Sequence, residues 1–398
     1  MRDSWRSATL GEILEPLEHR AGRESNFEVL SVTEKRGIIP QTEVFNHRVA
    51  TNDISKYKVL EPGDIAFNPY LLWCGAVGQW KGERPGVVSP VYEAFRARAT
   101  AVARYIGLVF ESGTLTPYFD STAIGSIVRR RRTTLPVFNE APINLPPIIE
   151  QKRIVDVMAA VDTYIAALQQ QADDARAARN AVLHELLTTG GDDWSERNLG
   201  ETLDISRGGS PRPIQEFITD REDGVNWVKI GDASNSSKYI YETKEKIKPA
   251  GVGKSRKVTS GDFLLSNSMS FGRPYIMRCD GCIHDGWLLL SNVATHFDED
   301  FLYNLLMSDH VQKQFDSLAA GSSVRNLNIE AVMGVVVSLP PLSAQREIAS
   351  IANTLDEFVW ALEATVQNAK RMRQSVLAAL LSGEHEIPDS YDRLLGVA

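Results

Sequence analysis

The chain contains a copy of part of itself. Leu145-Pro146-Pro147 recurs as Leu339-Pro340-Pro341, and the offset of 194 then holds without a gap for 46 residues, fourteen of them identical. Common residues at their usual frequencies would coincide at about three such positions, so the stretches are duplicates. Gln151/Gln345, Ile154/Ile348, Asp162/Asp356, Leu168/Leu362, Arg179/Arg373 and Leu186/Leu380 are among the identities. Upstream, Trp5, Leu10, Gly11, Glu12 and Leu14 match Trp194, Leu199, Gly200, Glu201 and Leu203 at an offset of 189, and Gly63-Asp64 resembles Gly261-Asp262 at 198. Between these anchors the copies hardly agree. Such a chain folds as two similar units, each a variable domain followed by a shared segment.

The shared segment carries a helical period. Ile154, Val161, Ile165, Leu168, Val182 and Leu186 in the first copy, and Ile348, Leu355, Val359, Leu362, Val376 and Leu380 in the second, lie on a stripe of alternating steps of three and four that also passes through Arg179 and Arg373. That spacing keeps one side facing a partner along the whole helix, as a coiled-coil seam requires. From Ile149 to Leu187 a helix extends roughly 58 Å at 1.5 Å per residue. Leu-Pro-Pro suits a helix start, because proline fixes φ and needs no donor there, while Thr188-Thr189-Gly190-Gly191 and Ser382-Gly383 permit left-handed exits. The twin helices are expected to pair with each other rather than each lie only on its own domain.

The predicted divisions are 1–144 and 191–338 for the variable domains, 145–190 and 339–384 for the helices, and 385–398 for an acidic tail. Short apolar runs such as Ile65-Ala66-Phe67, Val87-Val88, Phe263-Leu264-Leu265 and Val335-Val336-Val337 read as strands, and Phe301 to Phe315 reads as helix. The fold class is therefore mixed α/β (α+β), with two globular domains, two long antiparallel helices in a coiled coil, and internal pseudo-twofold symmetry. With 398 residues, 43% apolar and 24% charged, the composition is that of a folded chain. No apolar run approaches the roughly 18 residues needed to cross a bilayer, and the first residues lack the apolar core of a signal peptide. Three cysteines make no disulfide framework in a chain of this length. A cytoplasmic protein with no membrane partner is expected.

Motifs for catalysis fail one after another. Gly251-Val252-Gly253-Lys254-Ser255 lacks the earlier glycine of a phosphate loop, since position 248 is Lys248. Asn68-Pro69-Tyr70 is similar to the Asn/Asp-Pro-Pro-aromatic motif of amino-methyltransferases but lacks its second proline, and no Gly-rich strand-turn-helix accompanies it. Cys279-Asp280-Gly281-Cys282 with His284 gives half a zinc site, with Cys74 the sole further cysteine. No catalytic residue, no metal and no cofactor of its own is expected.

Local positive charge points elsewhere. The net charge is −8, yet Ser121 to Asn139 holds no acidic residue and contains Arg129-Arg130-Arg131-Arg132, and Lys238 to Lys257 holds seven basic and two acidic residues. Arginine forks match phosphate oxygens and the O6/N7 edge of guanine, and lysines neutralise backbone charge. Candidate DNA contacts are Arg129, Arg130, Arg131, Arg132, Lys254, Arg256 and Lys257, joined by Asn267, Ser268, Arg273, Arg325 and Asn326 from turn-rich, amide- and hydroxyl-bearing segments. His284-Asp285-Gly286-Trp287 has the same composition.

Taken together, the Leu-Pro-Pro-x-x-x-Gln starts at 145 and 339, the two unlike domains alternating with twin helices, and the Gly-Asp turns at 63 and 261 resemble the specificity subunits of type I restriction-modification systems. The resemblance implies a non-catalytic reader of double-stranded DNA whose two target-recognition domains each recognise half of an asymmetric bipartite site. It also implies two modification subunits docked on the helices, and restriction subunits, with S-adenosylmethionine, ATP and Mg on those partners. The half-site centres would lie about one DNA turn, near 34 Å, apart. The family's usual Pro-Pro-x-x-Glu-Gln is kept at Glu150-Gln151 but not at Ala344-Gln345. Alternatives are a stand-alone DNA adenine methyltransferase using Asn68 to Tyr70, a DNA reader in a different defence complex, and a coiled-coil scaffold without nucleic acid.

Overall fold

The computed structural model describes residues 4–391 apart from 23–25, 35, 46–48, 52, 126–130, 234–236, 268–270, 320–325 and 389. It divides into two compact units, Met1–Gln169 with Thr365–Ala398, and Gln170–Ala364. The two long helices, Ile148–Thr188 and Leu342–Ser382, each have 41 residues and start 194 residues apart. Each unit thus holds one variable domain and one stretch of each helix.

In the first unit, Leu14–Pro16, Glu93–Ala97, Ile65–Phe67 and Val77–Gln79 form an antiparallel sheet in that order. A second sheet orders Gly37–Pro40, Glu28–Thr33, Gly86–Val88 and Lys58–Leu60, its middle pair parallel. Ile65, Ala66 and Phe67 are all buried, which explains why they form a continuous apolar run instead of an alternating one. Phe138 stacks on Phe67 at 4.4 Å and on Phe95 at 4.9 Å.

The second unit repeats this plan with five strands per sheet. One runs Asp204–Arg207, Trp287–Ser291, Phe263–Ser266, Pro274–Met277, Tyr239–Ile240, and the other Ile218–Thr219, Glu245–Ile247, Val225–Val228, Gly281–Ile283, Arg256–Val258. The expected helix from Phe301 to Phe315 is two, Glu299–Met307 and Asp309–Ala319. Ser308 breaks it, because its backbone is extended and its hydroxyl accepts from Val311 N–H at 3.4 Å, which starts the next helix.

The duplicated anchors have structural causes. Gly63 and Gly261 take φ of 98° and 97°, the left-handed region that favours glycine. The following carboxylates close the turns by accepting from Glu61 N–H at 2.8 Å and Thr259 N–H at 2.7 Å. Arg6–Thr9 pairs antiparallel with Pro142–Leu145, and Ser195–Asn198 pairs likewise with Val336–Leu339, so each domain's first strand starts beside its Leu-Pro-Pro.

Each helix start is pinned by a fully buried glutamine. The Gln151 amide donates to Pro146 O at 2.9 Å and its carbonyl accepts from Val102 N–H at 2.7 Å. The Gln345 amide donates to Pro340 O at 2.9 Å and His296 O at 2.8 Å, and its carbonyl accepts from Asp298 N–H at 2.8 Å. Val102 and Asp298 are the N-cap residues of Ala103–Ser112 and Glu299–Met307, so the same side chain ties each long helix to the start of a domain helix. Glu150 accepts from the Trp5 indole at 2.9 Å. The second copy has Ala344 there and no carboxylate to offer Trp194.

Within each unit the long helices run antiparallel. In the first, Arg373 pairs with Asp162, one bond being 2.9 Å, and Lys370 reaches Gln169 at 3.4 Å. In the second, Arg179 pairs with Asp356 at 2.9 Å, and Arg176 pairs with Glu363. The identities Asp162/Asp356 and Arg179/Arg373 are therefore two copies of one ion pair. Each extends to its domain, Arg373 to Glu111 at 3.0 Å and Arg179 to Asn304 at 2.8 Å. Burial works to raise the Glu111 carboxyl, but Arg104 and Lys81 outweigh it and hold it at about 2.

Along the expected seam, Ile154, Ile165, Ile348, Val359 and Leu380 are buried, and Val161, Leu168, Leu186, Leu355, Leu362 and Val376 are half-buried. Val182 departs from expectation at 40% exposed, with Leu183 buried in its place, and Leu377 lies deeper than Val376. An α-helix drifts about 20° per heptad against a 3.5-residue repeat. These ends also pack into domain cores: Leu183 and Leu187 join the second unit's, and Leu377, Leu380 and Leu381 the first unit's. Packing on the domain thus supplements helix pairing. Gly383 exits left-handed at φ 75°. Gly190 and Gly191 do not; there the Thr188 hydroxyl caps His184 O and Thr189 N–H donates to Glu185 O at 2.8 Å.

Candidate nucleic-acid interface

The strand after each Gly-Asp turn runs into a loop, and in both units that loop is hooked to the same later segment. Thr133 N–H donates to Pro69 O at 2.9 Å, and Leu327 N–H donates to Asn267 O at 3.0 Å. Thr133 and Leu327 are 194 apart, Pro69 and Asn267 are 198 apart, and these are the offsets of the flanking repeats. The hook is thus a product of the duplication, although it shares no side chain between copies. It gathers several candidates, since Arg131 and Arg132 precede Thr133 and Asn326 precedes Leu327.

In the first unit the Arg131 guanidinium lies 4.5 Å over the Trp73 ring and pairs with Asp120 at 2.8 Å. The Trp73 indole donates to Tyr70 O at 2.9 Å. Arg131 therefore braces the turn. Arg132 is exposed, its main chain bonded both ways to Ile124 at 2.9 and 3.0 Å. A cleft of about 340 Å³ opens between Pro69, Tyr70, Val91, Arg132 and Thr133.

In the second unit Asn267 corrects the expectation that it faces bases, because it is buried. Its N–H donates to Gly286 O at 3.0 Å and its amide to Asp285 O at 2.9 Å, so it positions loops. Asp285 is the hub. Its carbonyl also accepts from Arg207 Nε at 3.0 Å, and its carboxylate takes the Ser210 hydroxyl at 2.6 Å and Arg212 at 3.4 Å. The Ser210 bond holds this carboxyl below the usual range, and burial pushes the neighbouring His284 imidazole down. Arg256 Nε reaches Arg207 O at 3.4 Å. Arg207, Arg212 and Arg256 are all exposed. A Cβ on Gly208 would meet His284 O at 2.0 Å, so only glycine lets these two segments approach.

The remaining described candidates of the second unit take no side-chain part in these bonds. Lys257 is exposed on the strand of Arg256, and Lys254 sits 4.8 Å over the Phe217 ring. Arg273, 5.5 Å over Tyr275, lines a cleft of about 580 Å³ with Arg179, Lys238, Tyr303 and Trp360, beside the helix pair. Arg129, Arg130, Ser268 and Arg325 lie outside the described residues. The sequence did not single out Arg207, Ser210 or Arg212, whose isolated residues carry no period or charge run.

The weak motifs resolve into structure. Pro249–Val252 is a short helix and the Ser255 hydroxyl caps Ile283 O at 3.0 Å. Asn68 uses its side-chain oxygen to accept from Tyr70 N–H at 3.1 Å, closing a turn. Burial pushes the Cys279 and Cys282 thiols up, which disfavours the thiolate a metal needs. Among the described residues no cluster of His, Cys, Asp and Glu could hold a metal, and no helix is long and apolar enough to cross a membrane.

Residues 191–369 match the family of the type I restriction modification DNA specificity domain. In this stretch the chain is similar to type I specificity domains. Over 272 residues it is 23% identical to the type I restriction enzyme MjaVIII specificity subunit of Methanocaldococcus jannaschii, covering 62% of this chain and 63% of that relative. It therefore spans somewhat under two thirds of that specificity subunit's length. Among solved structures, a chain from a type I R-M system studied for complex assembly and conformational transition superposes with a TM-score of 0.69 at 19% identity, covering 96% of this chain and 98% of that one. The HsdS subunit from Thermoanaerobacter tengcongensis gives a TM-score of 0.52 at 21% identity, covering 97% and 98%. This chain shares with these two solved chains the fold of two mixed α/β domains and two long helices.

Proposed function

We propose that this chain is the DNA-reading subunit of a type I restriction-modification system. It recognises an asymmetric, bipartite site in double-stranded DNA and performs no chemistry itself. Two modification subunits dock on the helix pair and methylate adenine with S-adenosylmethionine, and restriction subunits use ATP and Mg to cut in phage defence, all in the cytoplasm. The observation that carries this reading is the duplicated hook. The same two backbone segments meet in both units, yet the side chains they present differ, as a reader of two unlike half-sites needs. The identical helix residues suit identical partners for the same reason.

Methylation mapping in cells that express the chain with its modification subunit tests the proposal. The expected outcome is one interrupted, non-palindromic motif. A palindromic motif, or methyl transfer by the purified single chain, would reject it, the second result favouring the stand-alone methyltransferase.

A further inference from the structure

We propose that the first unit reads its half-site largely through the C5-methyl groups of thymine, with Tyr70 and Val91 as the contacting side chains beside Arg132. The proposal rests on the reading of the chain as a DNA specificity subunit and names the chemistry of one of its two readers. The hook supplies the comparison, because it defines equivalent positions whose linings differ in kind.

Around the first hook, among the described residues, three exposed apolar side chains gather beside the polar Glu93, Arg132, Thr133 and Thr134. Tyr70 is 47% exposed, Val91 53% and Ile124 60%. Single exposed apolar residues are ordinary, but a set gathered at one place is not. Tyr70 and Val91 line the same cleft as Arg132, and Ile124 is bonded through its main chain to Arg132. A second cleft, of about 390 Å³, is lined by Val44, Phe45, Asn68 and Leu71 together with Glu34 and Arg36. Arg131 is engaged by Trp73 and Asp120. Arg132 is an exposed charge in the lining of the cleft, placed to meet a phosphate.

Around the second hook, three exposed guanidinium groups gather among the described residues. Arg207 and Arg212 bond Asp285 beside the buried Asn267, and Arg256 reaches Arg207. In the major groove the thymine methyl is the apolar mark, whereas guanine O6 and N7 match an arginine fork. Apolar side chains at one reader and guanidinium groups at the other therefore select different bases.

Once the site is mapped, each thymine is replaced singly by deoxyuridine, which removes only the methyl, and each guanine by 7-deazaguanine. Binding of the full chain with its modification subunits is then measured. One or more deoxyuridine positions in one half-site should weaken binding about fourfold per methyl lost. Val91→Ser, an exposed loop substitution, should abolish that penalty and leave the 7-deazaguanine penalty in the other half unchanged. Sequence-selective binding without any deoxyuridine penalty, or a penalty undiminished in Val91→Ser and in Tyr70→Ser, overturns the inference alone. Absence of sequence-selective binding by the wild type overturns the underlying reading as well.

Discussion

Replacing Gln345 by leucine isolates the bond set that joins a long helix to its domain. The side chain is fully buried, donates to two carbonyls at 2.8 and 2.9 Å and accepts from the Asp298 N–H at 2.8 Å. Asp298 in turn caps its own helix, its carboxylate accepting from Asp300 and Phe301 N–H at 3.1 Å. Leucine keeps most of the volume, so cavity formation contributes little. It removes three hydrogen bonds and strands their partners, at about 1–3 kcal/mol for each buried group left unmade. Partial relaxation brings the total to about 3–5 kcal/mol, in the range reserved for broken buried networks. Gln345→Glu keeps the acceptor for Asp298 but sets an oxygen against Pro340 and His296 carbonyls, so it should be tolerated better when protonated at low pH. Hydrogen exchange read by mass spectrometry gives the local answer. Gln345→Leu should accelerate exchange in 299–307 and 342–350 and lower the urea midpoint, while Gln151→Leu should act on 103–112 and 148–156. Unchanged exchange in 299–307, with stability within about 0.5 kcal/mol of wild type, would refute the anchoring role.

The ion pairs give a double-mutant cycle. Arg179→Met and Asp356→Leu, separately and together, should show a coupling of about 1–2 kcal/mol in urea unfolding, and a coupling near zero would mark the pair as incidental. The Glu111 carboxyl, held at about 2 against an ordinary 4.5, contributes stability that is present above pH 4.5 and lost as pH falls toward 2. Solvent screening at this surface residue cuts the contribution to about 1 kcal/mol, so Glu111→Gln should be less stable at pH 7 and flatter across that window, as followed by acid unfolding. Four residues inserted after Gln171 lengthen a helix by roughly 6 Å. If the helices are the ruler, methylation mapping should show the unread gap longer by about two base pairs, and an unchanged gap would count against that role.

How much the sequence revealed depended on which groups make the contact. Side-chain periodicity exposed the helices and their pairing, because an apolar stripe must recur to stay buried. The repeated Asp and Arg were visible as identities, although nothing in the spacing said that they bond each other. Gln151 and Gln345 were likewise visible but unexplained, since their partners, Val102 and Asp298, are backbone amides at positions with no residue in common. The basic runs proved a coarse guide. Arg131 is spent on Trp73 and Asp120, Asn267 is buried, and Arg273 lies beside the helix pair, whereas Arg207 and Arg212 bond Asp285 from a segment that no composition rule marks.

By itself, then, the sequence determined that the chain is a doubled one, with two long helices of equal length, two unlike mixed domains and no recognisable catalytic constellation. Duplication and period are properties of order along the chain, so order suffices to reveal them. Tertiary structure alone decided which loops meet. Hooks such as Thr133 to Pro69 and Leu327 to Asn267 join backbone groups 64 and 60 residues apart. Every residue but proline carries both a backbone donor and an acceptor, so only the folded sheets select the pair that bonds, and with it the side chains set side by side.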